Sequence, residues 1–584
     1  MTAIGIFENN QKEGGFMFKS RFISLLIVIL LVFTMSTSTA LATGSYRTLL
    51  RGTFGMVSSN HFMSTKVGVD ILEAGGNAVD AAVATAAAIG TVEMTMSGAG
   101  GDGFAFYYEA ETGELHYLNY SARTPKNLTL EHFKVGEDEY EIPPRGPMVT
   151  LIPGGLMGWH ELADRFGTMS FAELMEPSIK LAEEGFPVTN SLQRAFEAQL
   201  GRAMDWGEYG LDAWYGGIPE APKVGEFARN PNLAETYRRV VEEGLEVFYG
   251  GEIGQHIVEV MQEIGGVWTI EDLEEFYVEW DTPAPLEFTY RDYDLFTVPY
   301  NSSGGVATAQ ILQMLEGYDI KSLGVNSPGY LHLMLEAIKI AAADRAEWAC
   351  DPDTLDVPFD HLISKEYAAE RRQLINPYIA ASDWYDAGIK RGELGENTTA
   401  LCVVDKDGNM VTMVMTLGSG WGSGVTAGET GITLNNAVRW LETDPDSPAV
   451  VQGGVRTRWN MHMVLGIHQE TGERFVVSTP GGTGIWQTIP QVITKYIDFE
   501  MDMQSAIESP RARWMLDGTR TLAEYNMPED TVRILIEQYG HEDMYFGTPL
   551  PGGIGTVAAV TYDPGTGIMT GASDPRRESA VWGY

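Results

Sequence analysis

The sequence predicts an α+β fold in which helices cover the faces of antiparallel sheets. Three observations predict it. Helical periodicity dominates from residue 154 to about residue 271, where 170–184, 189–200, 233–243 and 253–264 alternate apolar and charged faces between Gly and Pro breaks. Beyond Thr398 the chain is mostly strand-like, with runs at 400–404, 410–416, 431–434, 461–467, 475–478 and 556–562. Between the two halves stands a hairpin with a threonine at each open end.

In that hairpin, runs rich in Val, Met and Thr flank Lys406-Asp407-Gly408. Gly408 can take the left-handed conformation that a three-residue loop requires at its last position. Residues whose numbers sum to 814 then face one another, which sets Thr398 opposite Thr416. An ordinary strand offers threonines too, so the chemistry rests on the neighbourhood.

From the amino terminus, residues 1–42 read as a signal peptide. Lys19 and Arg21 precede the apolar run 22–35, and Ala40-Leu41-Ala42 supplies the small residues that a signal peptidase reads. The run is shorter than the roughly 20 residues that span a bilayer. The expected product starts near Thr43, is exported to the periplasm or the exterior, and keeps no stable membrane insertion.

Residues 77–90 are nearly all Ala and Val, preceded by two glycines and led by Asn77, which can cap a helix; a tightly packed, buried helix is expected. Gly98 to Gly103 matches the dinucleotide pattern GxGxxG but follows a helix and leads into a strand, the reverse of the required context, so no nucleotide site is read there. Strands are expected at 104–108 and 115–120, joined through Glu111-Thr112-Gly113. Further on, 286–298 is strand-like and 307–315 and 330–348 are helical. The polar stretch 380–397 has no strong period, as an exposed loop would.

With 39 basic and 80 acidic residues the 584-residue chain carries a net charge of -41, which argues against nucleic acid or an anionic membrane as partner. Cys350 and Cys402 are too few for a disulfide framework and are expected as buried, inert thiols. The ten histidines are scattered without a His-Glu-x-x-His frame, and His462 and His468 lie six apart, so no metal is expected. Ser419 and Ser423 lack the frame of a nucleophile elbow, which leaves the loop 418–424 as pocket wall.

Several spaced motifs occur in one order. They are Gly75-Gly76-Asn77-Ala78-Val79-Asp80-Ala81-Ala82, Ser302-Ser303-Gly304-Gly305, Ala343-Asp344-Arg345, Thr398-Thr399 with Asp405 to Asn409, Ala427-Gly428-Glu429, Pro480-Gly481-Gly482 and Gly571-Ala572-Ser573-Asp574-Pro575-Arg576. On these residues the chain from about Gly55 to Tyr584 resembles the γ-glutamyltranspeptidase family. The resemblance implies the four-layer αββα sandwich of the N-terminal nucleophile hydrolases. It implies self-cleavage between Asn397 and Thr398 into a large subunit, 43–397, and a small catalytic subunit, 398–584, which together form one domain. No cofactor is expected.

An N-terminal threonine carries its own general base, an α-amine with a pKa of about 7.7 to 8. The resemblance implies that Thr398 Oγ1 attacks the Asn397 carbonyl carbon, that an N-to-O acyl shift gives an ester, and that water frees the new terminus. The same hydroxyl then takes the acyl group of a small-molecule amide or γ-glutamyl substrate and passes it to water or an amine acceptor. Thr416 can hold the Thr398 hydroxyl or amine across the hairpin. The turn 478–482 can converge backbone N–H groups on an oxyanion, a role that falls to Gly481 and Gly482 by resemblance.

The substrate positions depart from the family pattern. Typical members place an Arg inside Asp-x-Arg-Glu-x-Ala-Pro; here 119–125 has Ser121 at the Arg position and Arg123 two residues on. The family's Asn after Thr-Leu is Gly418, its Gln and Asp after the Asn-Asn pair are Ala437 and Trp440, and a carboxylate-binding serine pair is replaced by Trp459 and Asn460. Two acceptors for an α-ammonium are lost. Trp421, Trp440 and Trp459 offer apolar surface, and Arg123, Arg439 or Arg458 can bind a carboxylate. The expected enzyme is a self-processing γ-glutamyltransferase-like or glutathione-hydrolase-like one. These pocket residues favour a divergent acylase acting on an acyl group with a carboxylate but no α-amine. The competing class is a non-catalytic binding descendant with an uncut chain.

Overall fold

The computed structural model describes residues 47–299, 302–381, 397–516, 520–542, 544–547 and 554–584. The expected signal peptide, 1–42, and most of the stretch 380–397 lie outside them.

The hairpin of Thr399–Asp405 and Met410–Thr416 forms the middle of a seven-stranded antiparallel sheet, with Thr399 facing Met415 and Val404 facing Met410 as the 814 rule requires. Gly408 closes the loop at φ 82°, a conformation that any side chain would strain. The strand order is Ala580–Gly583, Gly55–Ser59, the hairpin, Asp102–Tyr108, Leu115–Asn119 and Glu279–Trp280. A second antiparallel sheet runs Leu50–Gly52, Ile568–Ser573, Ala558–Asp563, Arg474–Ser478, Met463–His468, Tyr293–Thr297 and Leu286–Tyr290.

Both hairpin strands are buried along their whole length because the sheet is covered on both faces. Side chains alternate along a strand. Cys402 and Thr412 look toward the second sheet, where Cys402 Sγ meets the Ala558 carbonyl at 3.3 Å and Thr412 Oγ1 meets Ser478 Oγ at 3.1 Å. Burial pushes the Cys402 thiol up to about 11, and Cys350 is buried as well. The opposite face of the hairpin packs on the helix Ala78–Val92. Asn77 caps that helix by accepting from the N–H groups of Val79 and Asp80, Asp80 answers on Asn77 N, and every residue of the helix is buried. Helices Ser303–Glu316, Pro328–Trp348 and Ile485–Ile497 lie on the far side of the second sheet. The layers are therefore helix, sheet, sheet, helix, an α+β fold of the four-layer αββα kind.

Three sequence expectations are corrected. The single strand expected at 286–298 is two strands, Leu286–Tyr290 and Tyr293–Thr297, turned at Arg291 with φ 52°. The strand expected at 431–434 is absent: a 3-10 turn at Gly428–Thr430 leaves one isolated bridge, Thr426 to Thr433. The half after Thr398 also holds helices, Ile485–Ile497 and Glu529–Glu537 among them. Pro490 hides the first of these in the sequence. It removes one helical bond, to the Trp486 carbonyl, which the Thr308 hydroxyl reaches at 3.5 Å. Among the described residues no helix is long and apolar enough to cross a membrane.

Candidate active site

Asn397 and Thr398 sit at the open end of the hairpin, on the strand that brings Thr416 opposite. The two hydroxyls are 3.2 Å apart, and both converge on the Asn397 carbonyl oxygen, Thr398 Oγ1 at 2.7 Å and Thr416 Oγ1 at 2.6 Å. The Gly418 N–H donates to Thr416 Oγ1 at 2.9 Å, which leaves that hydroxyl's own proton for the carbonyl. Thr398 is 3 % exposed and Thr416 1 %, so the cluster is withdrawn from bulk water. The glycine run before Asp102–Tyr108 serves this packing. A Cβ on Gly101 would stand 2.4 Å from the Thr416 carbonyl oxygen.

The next threonine faces the other way. Thr399 Oγ1 donates to Glu93 Oε2 at 2.8 Å, and the Ala400 N–H donates to Asn60 Oδ1 at 2.7 Å. Asn60 Nδ2 in turn donates to the Thr556 carbonyl at 2.8 Å, tying the hairpin to the stretch that enters Ala558–Asp563. Burial pushes the Glu93 carboxyl up to about 7, against the pull of Arg577 and the Thr399 hydrogen bond. Arg577 also donates to the Thr398 carbonyl at 3.2 Å. Asp102, the strand neighbour of Thr416, is fully buried. Burial raises its carboxyl well above the usual range, against the bond that Oδ1 accepts from the Ala122 N–H.

Two cavities reach Asn397. One, of about 410 Å³, is lined by His61, Glu93, Ser191, Arg577 and Glu578. The other, of about 610 Å³, is lined by Arg145, Asp205, Ser419, Trp421 and Arg439. Thr95, Met96 and Ala195 border both. Burial lowers His61 to about 4, so its imidazole is neutral at pH 7.

The residues singled out in the sequence fall into three groups. Thr398, Thr416, Asn397 and Gly418 form the hydroxyl cluster, and Trp421 and Arg439 line the larger cavity with Ser419 and Gly420, as wall residues do. Trp421 stacks on Tyr215 with ring centroids 5.7 Å apart. A second group is committed elsewhere and lines neither cavity. Arg123 pairs with Asp353 at 2.8 Å and Asp351 at 3.5 Å, while Arg458 pairs with Glu442 at 2.6 Å and reaches the Trp440 carbonyl at 2.7 Å. Trp459 Nε1 donates to Ser121 Oγ, and Asn460 Oδ1 accepts from Arg345 at 2.6 Å. Ala437 is fully buried, with its N–H on Asn435 Oδ1.

Gly481 and Gly482 form the third group. The Arg474 guanidinium lies 4.8 Å over the Tyr108 ring, Tyr108 pairs with Met410, and Ser478 meets Thr412. Strand Arg474–Ser478 thus runs in the direction of Met410–Thr416, and its continuation through Gly481 and Gly482 leaves at the Thr416 end. Sequence reasoning passed over Glu93, Asn60, Arg145 and Arg577. Only Arg577 had a local signal, since it directly follows the Asp574-Pro575-Arg576 motif.

The chain matches the family model for Gamma-glutamyltranspeptidase over residues 64–584. It belongs to the γ-glutamyltranspeptidase family. It is accordingly an enzyme of the N-terminal nucleophile hydrolase class. It is 30 % identical over 563 residues to the glutathione hydrolase proenzyme of Bacillus subtilis (strain 168), covering 92 % of this chain and 93 % of that one. It is 34 % identical over 535 residues to the Acylase ACY 1 proenzyme of Pseudomonas sp. (strain V22), covering 89 % and 92 %. Among solved structures, cephalosporin acylase from Bacillus halodurans superposes with a TM-score of 0.83 at 32 % identity, over 93 % of this chain and 98 % of that one. γ-Glutamyltranspeptidase-family relatives thus include both glutathione hydrolases and acylases.

Proposed function

We propose that this chain is a precursor that cuts itself between Asn397 and Thr398 and then acts as an acylase, transferring an acyl group through Thr398 to water or an amine. The observation that carries the reading is the convergence of the Thr398 and Thr416 hydroxyls on the Asn397 carbonyl. Thr398 Oγ1 attacks that carbonyl carbon while its proton passes to Thr416, whose own proton goes to the Asn397 oxygen. Collapse breaks the C–N bond, the Thr398 nitrogen takes the proton back, and the chain is held by an ester. Water hydrolyses it, leaving a carboxylate on Asn397 and an amine on Thr398. That amine is the base for each later turnover. The N–H groups of Gly481 and Gly482 serve the substrate's oxyanion.

Denaturing electrophoresis tests the first half. The wild type separates into two pieces, with Thr-Thr-Ala at the start of the smaller, and Thr398→Ala stays one chain; a variant that still splits at this bond removes Thr398 as nucleophile. An uncut, inactive wild type would favour the binding descendant.

The preferred substrate is an amide whose acyl group bears a carboxylate and no α-amine. Supporting this, Arg145 and Arg439 border the larger cavity beside the Trp421 wall, Ser121 stands where the family has an Arg and bonds Trp459, and acylases stand among the relatives. Glutaryl-anilide should be hydrolysed in preference to γ-glutamyl-anilide. A tenfold advantage in kcat/KM for the glutamyl compound, about 1.4 kcal/mol, returns the chain to ordinary γ-glutamyl chemistry. Export follows from residues 1–42, and the larger piece should begin near Thr43.

A further inference from the structure

We propose that His332, Glu336 and His541 form a binding site for a divalent transition ion of the zinc type, separate from the hydrolytic centre. His332 and Glu336 are one helical turn apart on Pro328–Trp348 and so share a face. His541 comes from the turn after the helix Glu529–Glu537. One ligand atom from each of the three lies within 4.8 Å of the others, and all three residues are buried.

The inner geometry suits a metal. His332 Nδ1 and His541 Nε2 are 3.0 Å apart. Two imidazole nitrogens on a tetrahedral zinc stand about 3.3 Å apart, from bonds of about 2.0 to 2.1 Å, so a shift of a few tenths of an ångström admits the ion. His332 Nε2 lies 2.7 Å from the Asn376 carbonyl, and a proton there leaves the Nδ1 lone pair facing the site. A backbone carbonyl behind a ligating imidazole is the usual outer support of a metal histidine.

Burial and Lys339 both push His332 down, against the Asn376 bond and Glu336. Burial, Lys339 and His332 push His541 down. Glu336 Oε1 accepts from Lys339 at 2.7 Å and Oε2 from the Ala381 N–H at 3.1 Å, and each oxygen has a further lone pair. The ion therefore competes with Lys339 for one carboxylate. It also joins two distant parts of the chain, since His332 and Glu336 precede Thr398 and His541 follows it.

The test uses untagged, full-length protein stripped with a chelator, dialysed against zinc chloride and then against metal-free buffer. Wild type should retain about one zinc per chain by mass spectrometry, His332→Gln and His541→Gln less than about a tenth of that, and Lys339→Met should retain it more tightly. Cobalt(II) should give wild type the intense visible bands of a four-coordinate site, a readout that does not depend on any variant folding. A wild type that retains no zinc and shows no such bands overturns the proposal. So does full retention in either folded histidine variant.

Discussion

The two faces of one strand end hold adjacent threonines in opposite situations. The Thr398 and Thr416 side chains turn toward the second sheet, and among the described residues their hydroxyls bond neutral groups, a carbonyl, a backbone N–H and each other. Thr399, one residue on, turns toward the helix layer and is fixed by the Glu93 carboxyl, beside an Asn60 that holds the neighbouring backbone. The difference teaches why two threonines stand together. On the proposed cut, the hydroxyl that attacks is held only by neutral partners beside its target, and the adjacent one ties the strand to the helix layer. The period of a strand, two residues, puts the hydroxyl of the proposed nucleophile and that of Thr399 on opposite faces.

That comparison can be broken from either side. On the reactive face, Thr416→Ala takes away the hydroxyl on the Asn397 carbonyl, and self-cleavage should slow on the order of a hundredfold or more, as when one oxyanion donor is removed. A time course by denaturing electrophoresis at unchanged wild-type rate would break the assignment. On the anchoring face, the effect should appear in stability and with pH. Glu93 is held at about 7 in the fold against an ordinary 4.5, so folding favours its protonated form. Stability is therefore fully present below about pH 4.5 and is lost as pH rises through about 7, by up to about 3 kcal/mol. Glu93→Gln should lose that dependence, and urea midpoints that fall equally with pH in both proteins would break the claim. The smallest effect belongs to Thr399→Val. Losing one hydrogen bond should cost about 1 kcal/mol in urea unfolding while cleavage continues. A variant that stays uncut at full stability would give Thr399 a share in the chemistry.

The legibility of these faces in the sequence was uneven. The hairpin register, the capped helix at Asn77 and the pairing of Thr398 with Thr416 were all readable, because each depends on spacing within one short stretch. Glu93 and Asn60 were not, since they reach Thr399 and Ala400 from more than 300 positions away in the chain. Arg123 shows the limit of position in a motif. It stands two residues from the place a family pattern gives to an Arg, yet Asp351 and Asp353 hold its guanidinium, and only folding reveals those partners. The helix at Ile485–Ile497 was obscured by Pro490, which usually interrupts such a pattern and here costs a single bond.

The strand order has a consequence for the proposed cut. In the first sheet Gly55–Ser59 lies between Ala580–Gly583 and Thr399–Asp405, and Met410–Thr416 borders Asp102–Tyr108. The second sheet begins with Leu50–Gly52 beside Ile568–Ser573 and joins Met463–His468 to Tyr293–Thr297. Segments from before and after Thr398 are thus woven into each other at five ladders of backbone hydrogen bonds. A scission at Asn397 leaves two polypeptides with one shared core and no surface along which they could part. Neither piece holds either seven-stranded sheet complete, so on the proposed cut the pair has to be synthesised as one chain, and the peptide bond that makes the folding possible would be the one that the finished fold then spends.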